Sequence, residues 1–293
     1  MTMLKGCGTA LVTPFFADGS VDYEGYAALV DRQVESRVDF LVPLATTGET
    51  PTLSNQEKVE ILKLVKQHAG GLPLVVGVGS NSLPGTLANI DLLAPLKPDY
   101  LLVVVPFYNK PTQQGQYDYF KAVAEATSIP IIIYNVPGRT GANMLPATVL
   151  RLAREVPGIV GIKEASGKYD QVSEILSGAP KDFSVLSGDD DMTLAFMATG
   201  AHGVISVASN IAPKEVSNMT RAMLRGHLDE ARALHHRLFP LFKACFVESN
   251  PVPAKAALSL LGVTGATVRL PLSDASEATF DLMQKVLDDL WKK

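Results

Sequence analysis

Lys163 stands in the run Gly161-Ile162-Lys163-Glu164, which is otherwise apolar enough to lie inside a protein. Burial disfavours an ammonium, so a lysine at the end of such a run tends toward a free amine able to add to a carbonyl carbon. The plain alternative is a solvated lysine just past a strand, capping a helix or paired with Glu164. A second run, Ile131-Ile-Ile-Tyr134-Asn135-Val-Pro137-Gly-Arg139-Thr-Gly141, places a phenol and a guanidinium at the end of another apolar stretch. Schiff-base formation moves protons to and from the carbinolamine oxygen and nitrogen, and a tyrosine held beside the lysine can do this. Arg139 offers a two-pronged fork that suits a carboxylate. Tyr134 could equally be mouth packing, and Arg139 an ordinary surface charge. A third run, Val42-Pro-Leu-Ala45-Thr46-Thr47-Gly48-Glu49-Thr50, supplies two hydroxyls and successive backbone N–H groups in a glycine-bearing turn. Such a turn can hold an anion and extend a proton relay, although Thr-Thr-Gly is also a common turn sequence.

Stepping out from these residues, the apolar runs that end in them are short, rich in Val and Ile, and continuous rather than alternating. Strands covered on both faces read this way. Eight such runs occur, at 9–12, 40–42, 74–77, 100–105, 131–134, 159–162, 183–186 and 203–207, starting between 20 and 34 residues apart. The spacing is that of successive βαβ units of roughly 30 residues. The segments between them have helical periodicity. Ser54 and Glu57 form a capping-box pattern, and Pro146 and Pro213 mark first turns of two later helices. Eight alternating units predict an α/β fold, a (β/α)8 TIM barrel, with chemistry gathered at the C-terminal ends of its strands. A doubly wound open sheet is the runner-up. Its first strand-to-helix turn would be Thr13-Pro-Phe-Phe-Ala-Asp-Gly19, which is no Gly-x-Gly-x-x-Gly cradle, and no Walker motif occurs. Past residue 224 the strand pattern stops, and 227–246, 253–261 and 275–291 read as helices. The expected organisation is a catalytic barrel over 1–225 and a C-terminal helical extension over 226–293 packed on it, since no linker-like composition separates them.

Composition narrows the function classes. Of 293 residues 47% are hydrophobic and 19% charged, with 26 Lys+Arg against 30 Asp+Glu. That excludes a disordered chain, and without a basic stripe there is no footprint for nucleic acid. No apolar run approaches the roughly 20 residues of a spanning helix. The first eight residues lack a charged segment followed by an apolar one, so a cytoplasmic location is expected. Cys7 and Cys245 read as buried thiols, too few for a disulfide framework. Among His68, His202, His227, His235 and His236 only the last two are adjacent, and neighbours on a helix point apart, so no metal is expected. Of Asp189-Asp190-Asp191, one is expected to cap the helix after the seventh strand. Phe15, Phe16, Phe107 and Tyr108 read as mouth or interface packing.

Taken together, Ala45-Thr-Thr-Gly-Glu49, Val105-Pro-Phe-Tyr-Asn-Lys-Pro111, Tyr134 to Gly141, Gly161-Ile-Lys-Glu-Ala-Ser166, Ser187-Gly-Asp-Asp190, Gly203-Val-Ile-Ser206 and Asn250-Pro-Val-Pro-Ala-Lys255 resemble the pyruvate-dependent class I aldolase and lyase superfamily. More narrowly, the chain is similar to the dihydrodipicolinate synthase family over nearly its whole length. The resemblance implies that Lys163 forms a Schiff base with pyruvate, that Tyr134 donates and accepts the protons, and that Thr46 and Tyr108 complete a hydroxyl relay. Tyr108 would reach in from a neighbouring subunit. Thr47 would hold the pyruvate carboxylate, Ile205 would line the same pocket and Gly188 would leave room at the seventh strand. Arg139 would anchor the carboxylate of L-aspartate 4-semialdehyde, giving 4-hydroxy-tetrahydrodipicolinate in the diaminopimelate and lysine pathway. No metal or organic cofactor is implied, and the expected assembly is a homotetramer of tight dimers.

Sibling aldolases that act on N-acetylneuraminate or 2-keto-3-deoxy sugar acids resemble the chain at lysine and tyrosine but generally lack an arginine at 139. Losing a charged partner for a buried carboxylate costs on the order of 2–5 kcal/mol, enough to sort substrates. A non-catalytic keto-acid sensor would have no need of the Lys163, Tyr134 and Thr46 set. Two departures stand out. Ala45 replaces the more usual glycine, and a positive φ there would strain it. Lysine-inhibited members carry His and acidic residues at the pocket between subunits, where this chain has Asn55, Lys58 and Gly85 beside Asn81, so weak or absent lysine feedback is expected.

Overall fold

The computed structural model describes residues 3–292. The strands are β1 Gly6–Ala10, β2 Phe40–Val42, β3 Val75–Gly77, β4 Tyr100–Val104, β5 Ile131–Asn135, β6 Ile159–Glu164, β7 Ser184–Ser187 and β8 Gly203–Ser206. The helices between them are α1 Tyr23–Glu35, α2 Asn55–His68, α3 Leu83–Leu93, α4 Gln113–Glu125, α5 Pro137–Thr140, α6 Pro146–Glu155, α7 Tyr169–Gly178, α8 Thr193–Ala198 and α9 Pro213–Leu224. All pairings are parallel, in the order β2-β1-β8-β7-β6-β5-β4-β3, and an isolated parallel bridge between Leu41 and Leu74 brings the two ends together. The fold is the expected (β/α)8 barrel. β1 begins three residues before the apolar run that announced it, because Gly6 and Gly8 are weak strand signals. Beside Gly8 the Phe40 ring takes up the interior space that a side chain would fill.

Two apolar layers follow from the two-residue period of the strands. One face of each strand, with Ala10, Phe40, Val42, Leu102, Ile132, Leu186 and Ile205, fills the barrel. The opposite face, with Leu41, Val76, Val103, Ile133, Ile162 and Val204, packs under the helices. Each fully buried aliphatic side chain stabilises by about 1.5–3 kcal/mol. Local signals hold the helices in place. Ser54 Oγ accepts the Glu57 N–H while the Glu57 carboxylate accepts the Ser54 N–H, and Pro146 and Pro213 open their helices.

After α9 come α10 Leu228–Ala244, α11 Val252–Leu260 and α12 Glu277–Trp291. Their apolar residues, among them Leu238, Phe242, Ala257, Leu258, Met283 and Leu290, belong to the same cluster as the strand-to-helix layer of the barrel. Cys7 and Cys245 are free and buried, and burial pushes both thiols up. Two readings of the sequence are corrected. Phe15 is not at the mouth: it is 2% exposed and lies beneath the Lys255 ammonium and the Arg269 guanidinium, 4.1 and 4.4 Å from its ring centre. No aspartate side chain caps α8, whose N-terminus continues directly from a 3-10 turn at Asp190–Met192. Asp190 instead turns to the chain leaving β8, where its Oδ2 accepts the N–H groups of Val207 and Ala208, each at 3.0 Å.

Candidate active site

Tyr134 on β5 and Lys163 on β6 are register partners on the barrel-facing side of adjacent strands. Lys163 is 4% exposed, and its Nζ lies 4.3 Å from the centre of the Tyr134 ring. It is therefore neither solvated nor paired with Glu164, whose side chain points to the opposite face. Gly188 follows β7 against the lysine stem: a Cβ there would sit 3.1 Å from Lys163 Cε and 2.5 Å from Ala165 Cβ. A side chain at 188 would force Ala165 or the Lys163 stem to shift. Ile205 on β8 is fully buried in the barrel interior. Beside Gly188, burial and the neighbouring Asp191 push the Asp189 carboxyl up to about 6.

Glu164 anchors the outer side of this wall. Its carboxylate accepts from Asn135 Nδ2 at 3.0 Å, Gln171 Nε2 at 3.0 Å and the Ser166 N–H at 2.8 Å, and burial raises its pKa. Asn135 also donates to Asn143 Oδ1 and accepts the Met144 N–H. The loop that follows α5, the short helix carrying Arg139, is thus tied to the strands carrying Tyr134 and Lys163.

On the opposite wall, Thr46–Gly48 forms a 3-10 turn directly after β2. Ala45 before it has φ −98° and ψ −171°, extended backbone that any residue adopts, so the alanine is unstrained. The turn is held by Thr13 Oγ1 donating to the Gly48 carbonyl at 2.7 Å and Thr50 Oγ1 donating to the Ala45 carbonyl at 2.9 Å. Thr46, Tyr134 and Arg139 line one cavity of about 480 Å3, together with Ala45, Val136, Phe107 and Asn250. Arg139 is exposed at this cavity, and its guanidinium makes no hydrogen bond or ion pair with another described residue.

Tyr108 is placed differently. It is 87% exposed, has φ +74°, and is not among the residues that line the cavity of its own chain. Its N–H donates to the Thr140 carbonyl at 3.2 Å, and Asn109 Nδ2 donates to the Asn81 carbonyl at 2.8 Å. The strained turn is therefore fixed while its phenol projects outward.

Sequence reasoning assigned no role to the residues that back the Thr46–Thr47 turn. Asn250 Nδ2 donates to Thr47 Oγ1 at 3.0 Å. Lys255, fully buried, pairs with Glu49 at 2.5 Å and donates to the Thr267 carbonyl at 2.8 Å. Burial lowers the Lys255 pKa to about 8, against the pull of Glu49. The Arg269 N–H donates to the second Glu49 oxygen at 2.9 Å, and the Arg269 guanidinium pairs with Glu57 at 2.6 Å. The only available signal was the pair of polar residues five apart in Asn250-Pro-Val-Pro-Ala-Lys255.

Among the described residues no cluster of three or more His, Cys, Asp or Glu is placed to hold a metal, and no helix is long and apolar enough to cross a membrane. His235 and His236 pack edge to face, 5.5 Å between ring centres, and burial lowers the pKa of His235.

Known proteins share this fold. The sequence profile of the Dihydrodipicolinate synthetase family matches residues 3–290. A 4-hydroxy-tetrahydrodipicolinate synthase of Phocaeicola vulgatus is 46% identical over 99% of this chain and 98% of its own. One from Koribacter versatilis is 49% identical over 92% and 90%. The crystal structure of dihydrodipicolinate synthase from Thermotoga maritima superposes with a TM-score of 0.96 at 44% identity, covering 98% of this chain and 99% of that one. The chain belongs to the dihydrodipicolinate synthetase family.

Proposed function

We propose that this chain is a lyase that condenses pyruvate with L-aspartate 4-semialdehyde to give 4-hydroxy-tetrahydrodipicolinate, on the route to diaminopimelate and lysine. The observation that carries the reading is the buried Lys163 amine against the Tyr134 ring, beside a cavity whose mouth holds the unpartnered Arg139. The Lys163 amine adds to C2 of pyruvate, Tyr134 protonates the carbinolamine oxygen, and water leaves to give the imine. Loss of a C3 proton gives the enamine. Its C3 attacks the aldehyde carbon of the second substrate, and the resulting alkoxide takes a proton through the hydroxyl relay. The amino group of that substrate then adds to the imine carbon, closing the ring and releasing Lys163 as the free amine. No metal or organic cofactor takes part in these steps.

Thr46 and Tyr134 form the relay within one chain. Tyr108 completes it from a second copy, a role supported by its exposure and by the fixed, strained turn that presents it. Thr47 holds the pyruvate carboxylate through its N–H and hydroxyl, Ile205 closes the pocket below, Gly188 leaves space beside the lysine, and Arg139 binds the carboxylate of the aldehyde. The enzyme works in the cytoplasm as a tetramer of tight dimers. Feedback by lysine is weak or absent. Lys58 puts a cation on the cavity wall, and Gly85 is enclosed by the Ser80 and Ser82 hydroxyls, where even a Cβ would come within 2.7 Å.

Borohydride reduction in the presence of pyruvate, followed by peptide mapping, is expected to add the reduced pyruvyl group to the Lys163 peptide alone. Lys163→Ala is expected to abolish both the adduct and turnover. An unmodified Lys163 peptide would end the Schiff-base reading. Activity of the wild-type protein on a 2-keto-3-deoxy sugar acid, with none on aspartate semialdehyde, would replace the second substrate. Steady-state assays with submillimolar lysine are expected to show little inhibition.

A further inference from the structure

The Thr47 hydroxyl has one proton to give, and which way it points depends on its neighbour. Asn250 is buried just before α11, 203 residues away in sequence, and its Nδ2 donates to Thr47 Oγ1 at 3.0 Å. A hydroxyl that accepts from an amide N–H on one side keeps its own O–H for another acceptor. No described residue accepts from Thr47 Oγ1, while Asn250 itself lines the active-site cavity. The Asn250 Oδ1 is buried with no partner among the described residues, so the amide meets the turn through Nδ2 alone. The same segment grips the far end of the turn, where Lys255 and the Arg269 N–H both bind the Glu49 carboxylate.

We propose that Asn250 is a positioning residue that fixes the Thr47 hydroxyl as a donor aimed at the carboxylate of bound pyruvate. The C-terminal extension thereby contributes to substrate binding. This rests on the reading of Thr47 as the carboxylate anchor. Turning the hydroxyl around would present lone pairs to an anion, so the effect falls on pyruvate affinity and not on the aldehyde.

The test is a double-mutant cycle of Thr47→Val and Asn250→Leu, with Asn250→Ala as the second variant if the leucine disturbs folding. Thr47→Val is expected to raise the pyruvate KM about tenfold or more. Asn250→Leu is expected to raise it several-fold, with kcat and the aldehyde KM within about threefold of wild type. The double variant is expected to match Thr47→Val alone, because the amide acts only through that hydroxyl. Half-maximal borohydride trapping of pyruvate on Lys163 is expected to shift by the same factors. Multiplying effects, an unchanged pyruvate KM in the folded Asn250 variants, or equal loss on both substrates would overturn the assignment of Asn250 while leaving Thr47 in place. An unchanged KM in Thr47→Val would overturn the anchor and this inference together.

Discussion

The two walls of the active site are backed by polar networks of opposite construction. Behind Tyr134 and Lys163, Glu164 is held by Asn135 and Gln171, partners 29 and 7 residues away, all within consecutive βα units of the barrel. Behind Thr46 and Thr47, the partners Asn250, Lys255 and Arg269 come from 203 to 220 residues away, and the central bond is a buried ion pair. The first network neutralises nothing. It surrounds one carboxylate with neutral donors, whose hydrogen bonds offset part of the burial that raises its pKa. The second places full charges opposite each other out of water, where removing either one strands its partner. One wall is thus secured by its own neighbourhood, and the other only when the C-terminal extension has docked.

The largest expected difference comes from breaking the ion pair. Lys255→Met leaves the Glu49 carboxylate buried and uncompensated and is expected to cost about 3–5 kcal/mol of stability by denaturant titration. The combined Glu49→Gln, Lys255→Met variant is expected to recover most of that loss. A cost below about 1 kcal/mol for the single variant would mean that the turn does not depend on the extension.

Glu164→Gln, by contrast, sets an amide N–H2 against existing donors and is expected to cost about 1–3 kcal/mol. Because this network ties down the loop after Arg139, the variant is expected to raise the KM of the aldehyde more than that of pyruvate. The reverse order would assign the network to the lysine side instead.

A smaller, pH-dependent effect sits at the rim of the second network. The Arg269 guanidinium and the Ser54 N–H and hydroxyl hold the Glu57 carboxyl down to about 2, from an ordinary 4.5. A depressed carboxyl stabilises the fold above its unfolded pKa, and that contribution is lost as pH falls from about 4.5 through about 2. With the pair partly in solvent, about 1 kcal/mol is expected. The stability gap between wild type and Glu57→Gln is expected to close across that window. A gap that stays constant with pH would assign the effect to packing.

The same contrast explains what could be read from the chain alone. Runs such as Ile131-Ile132-Ile133 and the recurrence of strands every 20 to 34 residues carry the barrel, because burial on both faces leaves a local compositional trace. Lys163 and Tyr134 were legible because a polar residue ending such a run is conspicuous. Arg139 was legible because it follows one within a few residues. The bonds from Asn250, Lys255 and Arg269 leave no local trace, since nothing near Thr47 or Glu49 records which distant segment will supply a donor. Asp190 misled for the same reason: the N–H groups its carboxylate accepts, from Val207 and Ala208, lie just past the next strand. The first strand was read short because glycine weakens the pattern where an interior ring needs the room.

The closure of the barrel has a dynamic counterpart. Between β2 and β3 there is no continuous ladder, only the Leu41–Leu74 bridge and single bonds from Leu41 to Pro73 and from Gly77 to Pro43. The backbones nearly touch there, since a Cβ on Gly77 would stand 1.9 Å from the Leu44 carbonyl oxygen. A cylinder hydrogen-bonded more sparsely along one line than elsewhere opens along that line first, so the Leu41 and Gly77 amides are expected to exchange with deuterium before those of the β5–β6 ladder. The line ends at Ala45 and the threonine turn. Breathing of the scaffold is thereby expected at the Ala45 end of the cavity wall, and least along the β5–β6 seam beside the lysine.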